Sequence, residues 1–260
     1  MATDDNDYAK KFEALFYPGT RTLINRFDVR DPERLEVIER RLASFGAARL
    51  IKHPVKGNFD LAHMQEIHKK IFGGVYPWAG QVRDYPLLKR RPDGLVTEFA
   101  RPNEITGLDR DLKAIMAETK NFTAVKPDEF AEKIARVYQI ANDMHPFREG
   151  NGRTHRVFLD AVAAQAGRTL DFAKIDKEGW NYAASMSGTV NIGNGTRIEG
   201  RTDELTKVFK HIANQAAPQN TNPYTQGRNG EQAVGQVDVM KLADLNPKLA
   251  AEKRAAFRVK

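Results

Sequence analysis

Twelve consecutive residues, His145 to Arg156, read HPFREGNGRTHR and constrain this chain more than any other stretch. They combine a histidine, a phenylalanine of the buried type, a carboxylate, a Gly-Asn-Gly turn and two arginines. Helical periodicity lies on both sides, so the segment reads as a short loop between two helices. Before it, Pro127 suits a first helical position, and Asp128 and Glu129 put negative charge in the first turn. Phe130, Ile134, Val137 and Ala141 recur at helical spacing, and the helix is expected to end near Asp143. The next helix opens at Gly150-Asn151-Gly152. Its apolar face is Val157, Phe158, Ala161 and Val162, and Gly167 suits its end.

These residue types point to phosphate and proton chemistry. Glycines at a helix N-terminus let the backbone approach a ligand, and the free N–H groups there bind phosphate. Gly150, Asn151 and Gly152 are the candidates for that role. Arg153 and Arg156 are three apart, on neighbouring parts of one helix face, so both can reach one polyphosphate. Glu149 is a hard oxygen ligand placed for Mg²⁺ on that phosphate. His145 is the side chain of the loop whose ordinary pKa suits a base near neutral pH. Phe147 is expected to be buried and to anchor the loop that aims His145. Each of these residues alone is commonplace on a protein surface; the signal is their joint spacing.

That spacing fits H-x-F-x-[D/E]-G-N-G-R-x-x-R, and the chain resembles the Fic (Fido) family, most of whose members transfer AMP from ATP onto protein hydroxyls. The resemblance extends to Phe72 through Gly80, followed by Gln81, Val82 and Arg83, which looks like the segment leading into the family's flap. Arg83 to Arg101 is then the flap, a β-hairpin over the active site, with Asp93-Gly94 as its turn signal. Phe99 to Glu104 resembles the exit into the next helix. Tyr17 to Thr20 and Leu23 to Asn25 resemble the start of bacterial members. The fold implied is mainly α, a Fic domain over residues 10–214 with a β-hairpin flap over the active-site loop.

The function implied is protein adenylylation. ATP and Mg²⁺ would bind over the loop, with Glu149 on the metal. The N–H groups of Gly150, Asn151 and Gly152 would hold the α- and β-phosphates, and Arg153 and Arg156 the outer ones. A target Tyr, Thr or Ser would lie along the flap, selected by Lys89, Arg90 and Arg91 on a charged surface that includes Asp84, Asp93 and Glu98. Its hydroxyl would attack while His145 takes the proton. Phosphorylating relatives carry a broken Gly-Asn-Gly segment, so the intact one here favours AMP transfer. UTP or CDP-choline as donor, and a catalytically silent binding module, are the alternatives. Two roles stay open: a toxin acting on a bacterial topoisomerase subunit in the cytoplasm, or a virulence effector modifying small GTPases after type IV secretion into a host cell. An inhibitory [S/T]-x-x-x-E-[G/N] helix is not found: Glu178-Gly179 is preceded by Lys174 at the needed position, and Glu199-Gly200 by Gly195. The implied brake is a separate small antitoxin whose glutamate pairs with Arg156.

Composition sets limits. The chain has 260 residues, enough for a sizeable core, and no stretch approaches the roughly twenty apolar residues of a membrane span. The opening MATDDNDYAKK is polar and acidic, unlike a secretory signal. There are no cysteines, which excludes disulfide and thiolate chemistry and fits a reducing cytoplasm. The net charge of +7 would suit nucleic acid, but the basic residues are dispersed and no zinc-finger or RNA-binding motif accompanies them. No GxxxxGK[ST] segment is present, so this is not a P-loop enzyme. The same lack of a metal motif leaves His63 and His68, five apart, as structural residues.

The remaining pattern is helical. Asp31-Pro32-Glu33 opens a helix with Leu35, Ile38 and Leu42 inward, and Asp60 caps one bearing Leu61, Met64, Ile67 and Ile71. Ile105, Leu108, Leu112, Ile115 and Met116 mark another, as do Leu205, Val208, Phe209 and Ile212. Trp180 and Tyr182 belong to a short helix and pack as core. Strands are scarce outside the flap, and Gly193-Asn194-Gly195 reads as a surface loop. Residues 215–236 are rich in Gln, Asn, Gly, Pro and Thr, a flexible linker by composition. Residues 237–260 are a short basic tail, helical but interrupted at Pro247, with Lys253, Arg254, Arg258 and Lys260 at its end. It would serve as a solvated tail, a secretion signal or a partner-binding segment.

Overall fold

The computed structural model describes residues 2–91, 94–192, 196–215 and 240–258. In chain order the elements are α1 (Ala2–Glu13), α2 (Pro32–Lys52), α3 (Leu61–Phe72), β1 (Leu88–Arg90), β2 (Val96–Glu98), α4 (Ile105–Glu118), α5 (Phe130–Met144), α6 (Asn151–Gln165) and β3 (Arg168–Leu170). There follow α7 (Lys177–Ser187), β4 (Val190–Asn191), β5 (Arg197–Ile198), α8 (Asp203–Ile212), β6 (Ala213–Gln215), α9 (Leu242–Leu245) and α10 (Pro247–Arg258). No described helix is long and apolar enough to cross a membrane.

α5 is the axis of the fold. Phe130, Ile134, Val137, Ile140 and Met144 are buried on one side, and Ala131, Ala135, Tyr138, Gln139 and Asn142 on the other. Glu132 and Arg136 alone form an exposed strip near its start; a helix buried over the rest of its surface must be enclosed by others, and α4, α6, α7 and α8 pack against it. Each large apolar side chain so buried stabilises the fold by roughly 1.5–3 kcal/mol. The helix begins at Phe130; Pro127, Asp128 and Glu129 form the turn before it rather than its first turn. Leu205, Val208, Phe209 and Ile212 of α8 are fully buried, as their spacing predicts.

α2 starts where the sequence places it, with Asp31 accepting the Arg34 N–H at 2.7 Å. Its inward face differs from the expected one. Leu35 is buried, but Ile38 is half-buried and Leu42 is 38% exposed; Ala43 and Leu50 point inward instead. The reason is a close crossing with α3. At Gly46 even a Cβ would lie 3.0 Å from the Ile71 Cα, so small residues, not leucines, occupy the seam. Asp60 caps α3 through the His63 N–H at 3.0 Å.

The flap belongs to a larger sheet than the hairpin expected. β1 and β2 pair antiparallel with Leu88 opposite Glu98 and Arg90 opposite Val96. β2 pairs in turn with β4, and β4 with β5, giving the order β1-β2-β4-β5. β3 and β6 form a separate antiparallel pair joining the ends of α6 and α8. These extra strands are two or three residues long, too short to show alternation in a sequence. Asp93 of the turn signal, Gly193 to Gly195 and nearly all of the compositional linker lie outside the described residues.

Met240 to Ala250 packs on the domain. Met240 exchanges backbone bonds with Lys174 and Asp176, Leu245 and Ala250 are buried, and the Asn246 amide donates to the Tyr182 hydroxyl. Pro247 does not interrupt a helix; it begins one, with Asn246 capping α10 by accepting the Leu249 N–H at 3.0 Å.

Candidate active site

The loop from α5 to α6 is locked by its own polar groups. α5 ends as His145 turns left-handed, φ 38° and ψ 58°, with its N–H still bonded to the Ala141 carbonyl. A non-glycine residue there costs about 1–2 kcal/mol, so the surroundings must hold it. Phe147 is fully buried, as expected of an anchor. The Asn151 side chain brackets it, accepting the Phe147 N–H at 3.0 Å and donating to the Phe147 carbonyl at 2.7 Å. Gly150 then adopts φ 79°, and a Cβ there would sit 2.3 Å from the Phe72 ring. Conformation and space both demand glycine.

α6 therefore starts at Asn151 with no side chain capping it. Its first N–H groups, at Asn151, Gly152 and Arg153, have no intrahelical acceptor. Gly152 has open space where a Cβ would lie. An anion can approach this helix end unobstructed.

His145 faces this end of α6. Its imidazole stacks on Phe99 of the flap's exit, ring centroids 3.7 Å apart and planes 15° apart, with the His155 ring edge-on at 6.0 Å. Burial holds its pKa well below the ordinary histidine value, with the nearby His155, Arg83 and Lys89 adding to the effect. Nδ1 is buried without a hydrogen-bond partner, and the Asn142 backbone offsets part of the burial effect. The depressed pKa keeps the ring neutral near pH 7, so it can accept a proton. His155, enclosed beside Tyr138, is held neutral by burial, its pKa pushed down to about 3.

His68 is a functional support that spacing alone does not reveal. Its Nδ1 accepts the Gly80 N–H at 2.8 Å, so the proton sits on Nε2, which donates to the Glu149 carbonyl at 2.9 Å. The ring stacks on Phe147 at 4.0 Å. Burial pushes its pKa down to about 4. One neutral imidazole thus joins α3, the segment before the flap and the loop. Among the described residues no group of His, Cys, Asp and Glu is arranged to hold a metal by itself.

The two arginines rest on different aromatic supports. Arg153 lies over the Phe72 ring and donates to Glu39 of α2 at 2.5 Å; the same carboxylate takes the Tyr76 hydroxyl. Glu39 is 114 residues away, in a charged run with no local signal, so sequence reading missed it. Arg156 lies over Phe172 and Trp180, and no carboxylate among the described residues forms an ion pair with it. Glu149 is about half exposed and bonds Arg148 at 3.0 Å.

The flap residues also divide. Lys89 and Arg90 are exposed on β1, an edge strand. Arg91 turns back to donate to the Ser185 carbonyl of α7 at 2.9 Å. Glu98, expected on a charged surface, is buried and accepts the Asn191 amide at 2.7 Å; Asp84 pairs with Lys11 of α1 at 3.3 Å.

Residues 58–163 match the Fic/DOC family. The chain is 28% identical over 224 residues to the protein adenylyltransferase VbhT of Bartonella schoenbuchensis, covering 86% of this chain and 44% of that protein. It is 30% identical over 202 residues to the probable protein adenylyltransferase Fic of Escherichia coli, covering 77% of this chain and 92% of the relative. Among solved structures, the BepC effector of Bartonella tribocorum with bound AMPPNP superposes with a TM-score of 0.68 at 27% identity, over 79% of this chain and 98% of that one. A Fic domain from Bartonella quintana with bound ADP gives the same score and identity, covering 78% and 95%. On these matches and on the site's geometry, the chain belongs to the Fic/DOC family and is homologous to its protein adenylyltransferases.

Proposed function

We propose that this protein is an adenylyltransferase that moves AMP from ATP onto a Tyr, Thr or Ser hydroxyl of a target protein. The observation that carries the reading is the placement of a neutral imidazole, His145, in the loop that leads into an uncapped helix N-terminus. That pair supplies a proton acceptor and a phosphate cradle within one loop. The nucleotides in the Bartonella structures support the same ligand here.

The target hydroxyl attacks the α-phosphorus and its proton passes to His145 Nε2. A new O–P bond forms, the α–β bridging P–O bond breaks, and pyrophosphate leaves with the electron pair. Gly150, Asn151 and Gly152 present the α6 N–H dipoles to the α- and β-phosphates. Arg153, held from behind by Glu39, and Arg156, over its aromatic shelf, face the outer ones. Glu149 would hold Mg²⁺, which would neutralise phosphate charge; a lone carboxylate suits an ion bound largely through substrate phosphates. Catalysis on this reading is positioning plus charge stabilisation.

Regulation comes from outside the described residues. Arg156 forms no close ion pair among the described residues, although the buried Asp160 lies near enough to feel its charge, so a separate small protein presenting a glutamate would both pair with it and exclude the outermost phosphate. Co-expression with such a neighbour should silence the chain, and replacing that neighbour's glutamate by glycine should release it. The Bartonella neighbours are named as VirB-translocated effectors and E. coli Fic is not, so bacterial and host proteins are both to be tried as targets. The decisive experiment incubates the chain with bacterial and eukaryotic lysates and ATP labelled on the α- or the γ-phosphorus. Label from the α position alone on a discrete protein is expected. Label from the γ position would mean phosphorylation and overturn the proposal.

A further inference from the structure

Arg83 is 4% exposed and forms no ion pair among the described residues. Its guanidinium is satisfied by carbonyls alone. Nε donates to His145 O at 2.9 Å, Nη1 to Tyr85 O at 2.7 Å, and Nη2 to Ala100 O at 2.6 Å and Met144 O at 3.2 Å. Its own N–H bonds Pro146 O at 2.9 Å. Three consecutive carbonyls around the proposed base and both roots of the flap therefore meet on one residue.

A buried cation without a carboxylate partner is costly. Burial pulls the Arg83 pKa down to about 10, which still leaves it charged at neutral pH. A neutral residue would be cheaper if only packing were needed. The planar fork of a guanidinium does something else: it fixes several acceptors in one plane at set angles. The acceptors here include the carbonyl of His145, the residue in the strained left-handed conformation. They also include the chain entering the flap at Tyr85 and leaving it at Ala100. The Ala100 N–H bonds the Asp143 carbonyl at 2.8 Å, closing the same junction from the other side.

We propose that Arg83 is a positioning residue that couples the flap to His145, so that a target laid on the flap and the imidazole that receives its proton share one rigid frame. The proposal rests on the reading of His145 as the base and of the flap as the docking strand. A second consequence is electrostatic. The charged and titratable groups facing the imidazole are Arg83, Lys89 from β1 and His155 from α6; Asp143, on its own helix, is turned to Thr189. Arg83 thus disfavours protonation of the base it positions.

The test compares Arg83→Lys and Arg83→Met in the full chain, using as substrate the lysate protein that the wild type labels, purified. A lysine keeps the charge but loses the fork; a methionine loses both. Both variants should bind a non-hydrolysable ATP analogue within about twofold of wild type, while kcat falls on the order of 100-fold, the penalty of about an ångström of misplacement. NMR titration of His145 should move upward in the methionine variant and stay near wild type in the lysine variant. A lysine variant with wild-type kcat would overturn the clamp, as would losses in kcat that merely follow the folded fraction. If neither variant folds, native-state hydrogen exchange on the wild type decides. The Arg83, Ala100 and His145 amides should open with one common free energy, and a flap root that opens more easily than His145 overturns the coupling. An active His145→Ala would instead sink the base assignment, while the titration and exchange would still report on the clamp.

Discussion

The catalytic loop and the flap sheet face the same site and are held by opposite means. The loop, His145 to Arg153, is fixed by buried polar groups that each make two or more bonds: Asn151 on Phe147, His68 on Gly80 and Glu149, and Arg83 on the carbonyls of Met144 and His145. The sheet is made of strands two or three residues long, and its β1 edge is exposed at every position. The loop therefore has one geometry available, which suits chemistry that tolerates little misplacement. The sheet has an unpaired edge and adaptable charges, which suits recognition of another chain. Changes in the loop should accordingly alter rate for any target, whereas changes in the sheet should alter which target is used.

The largest expected effect tests the loop's chemistry. His145→Ala should reduce AMP transfer by roughly 10²–10⁴-fold or more. Its binding of ATP, measured by calorimetry, should stay near wild type because the phosphate contacts lie on α6. Near-normal labelling would remove the distinction between the two regions. Next comes Gly150→Ala. The added Cβ would strike the Phe72 ring and sit at a positive φ, costing roughly 2–4 kcal/mol from the two strains together. The loop would shift to relieve it, so nucleotide affinity and thermal stability should fall together. A stable variant with normal affinity would show that the loop is less constrained than its bonds imply.

Acid should also find the loop before the sheet. His68 and His155 have pKa values depressed by burial to about 4 and about 3. The unfolded chain binds protons at these sites near pH 6.5, where the folded chain does not. The contribution of these two sites is therefore complete above that pH and is lost as pH falls toward 4 and then 3, while Asp143 and Asp160, raised by burial to about 6 and about 7, act in the opposite sense. For His68 the loss is on the order of 3 kcal/mol. Denaturant titrations of wild type and His68→Gln between pH 7 and pH 4 should differ by this amount, the wild type losing stability relative to the variant as pH falls. A slope unchanged by that substitution would count against His68 as the titrating support.

How much of this was legible in the sequence follows from the same contrast. The loop residues were legible because backbone demands fix their types: Gly150 must turn left-handed against Phe72, and Asn151 must reach both polar groups of Phe147. α5 and α8 were legible through their periodicity. The supports were not, because Glu39, His68 and Arg83 act across long sequence separations, and nothing near Glu39 distinguishes it from its charged neighbours. The face of α2 was misread because helical period gives a stripe but not the small residues that a close crossing needs. β4 and β5 were missed because two residues carry no alternation. Arg91 and Glu98 looked like surface charges, and only tertiary placement shows that Arg91 ties the sheet to α7 and that Glu98 is buried between β2 and β4.

Arg90→Glu should lower kcat/KM for the true target several-fold, up to about tenfold, with ATP binding unchanged and the loss reduced at high salt. Lys89→Glu should do the same and, because the Lys89 charge helps to depress the His145 pKa, should raise the pH at which activity is lost on the acid side. Arg91→Glu would break the bond to α7 and is not a clean probe. If Arg90→Glu and Lys89→Glu gave identical pH profiles, the flap would not be electrically coupled to the loop.

The smallest expected effect on activity lies farthest from both regions. Removing residues 216–260 takes away Met240, which bridges Lys174 and Asp176, and Leu245, which is buried beside α7. Losing one such leucine costs roughly 1.5–3 kcal/mol. For a domain of this size that corresponds to a fall in Tm of several degrees. α7 carries Trp180, over which Arg156 lies, so the truncation touches the phosphate end of the site only through that one shelf. His145, the α6 N-terminus and the Arg83 junction keep all their partners. The truncated chain should therefore melt earlier yet retain kcat within about twofold, with any rise confined to the KM for ATP. A folded but inactive truncation would mean that the segment after residue 240 belongs to the catalytic unit, and that the rigid region extends from the loop through α7 to α9.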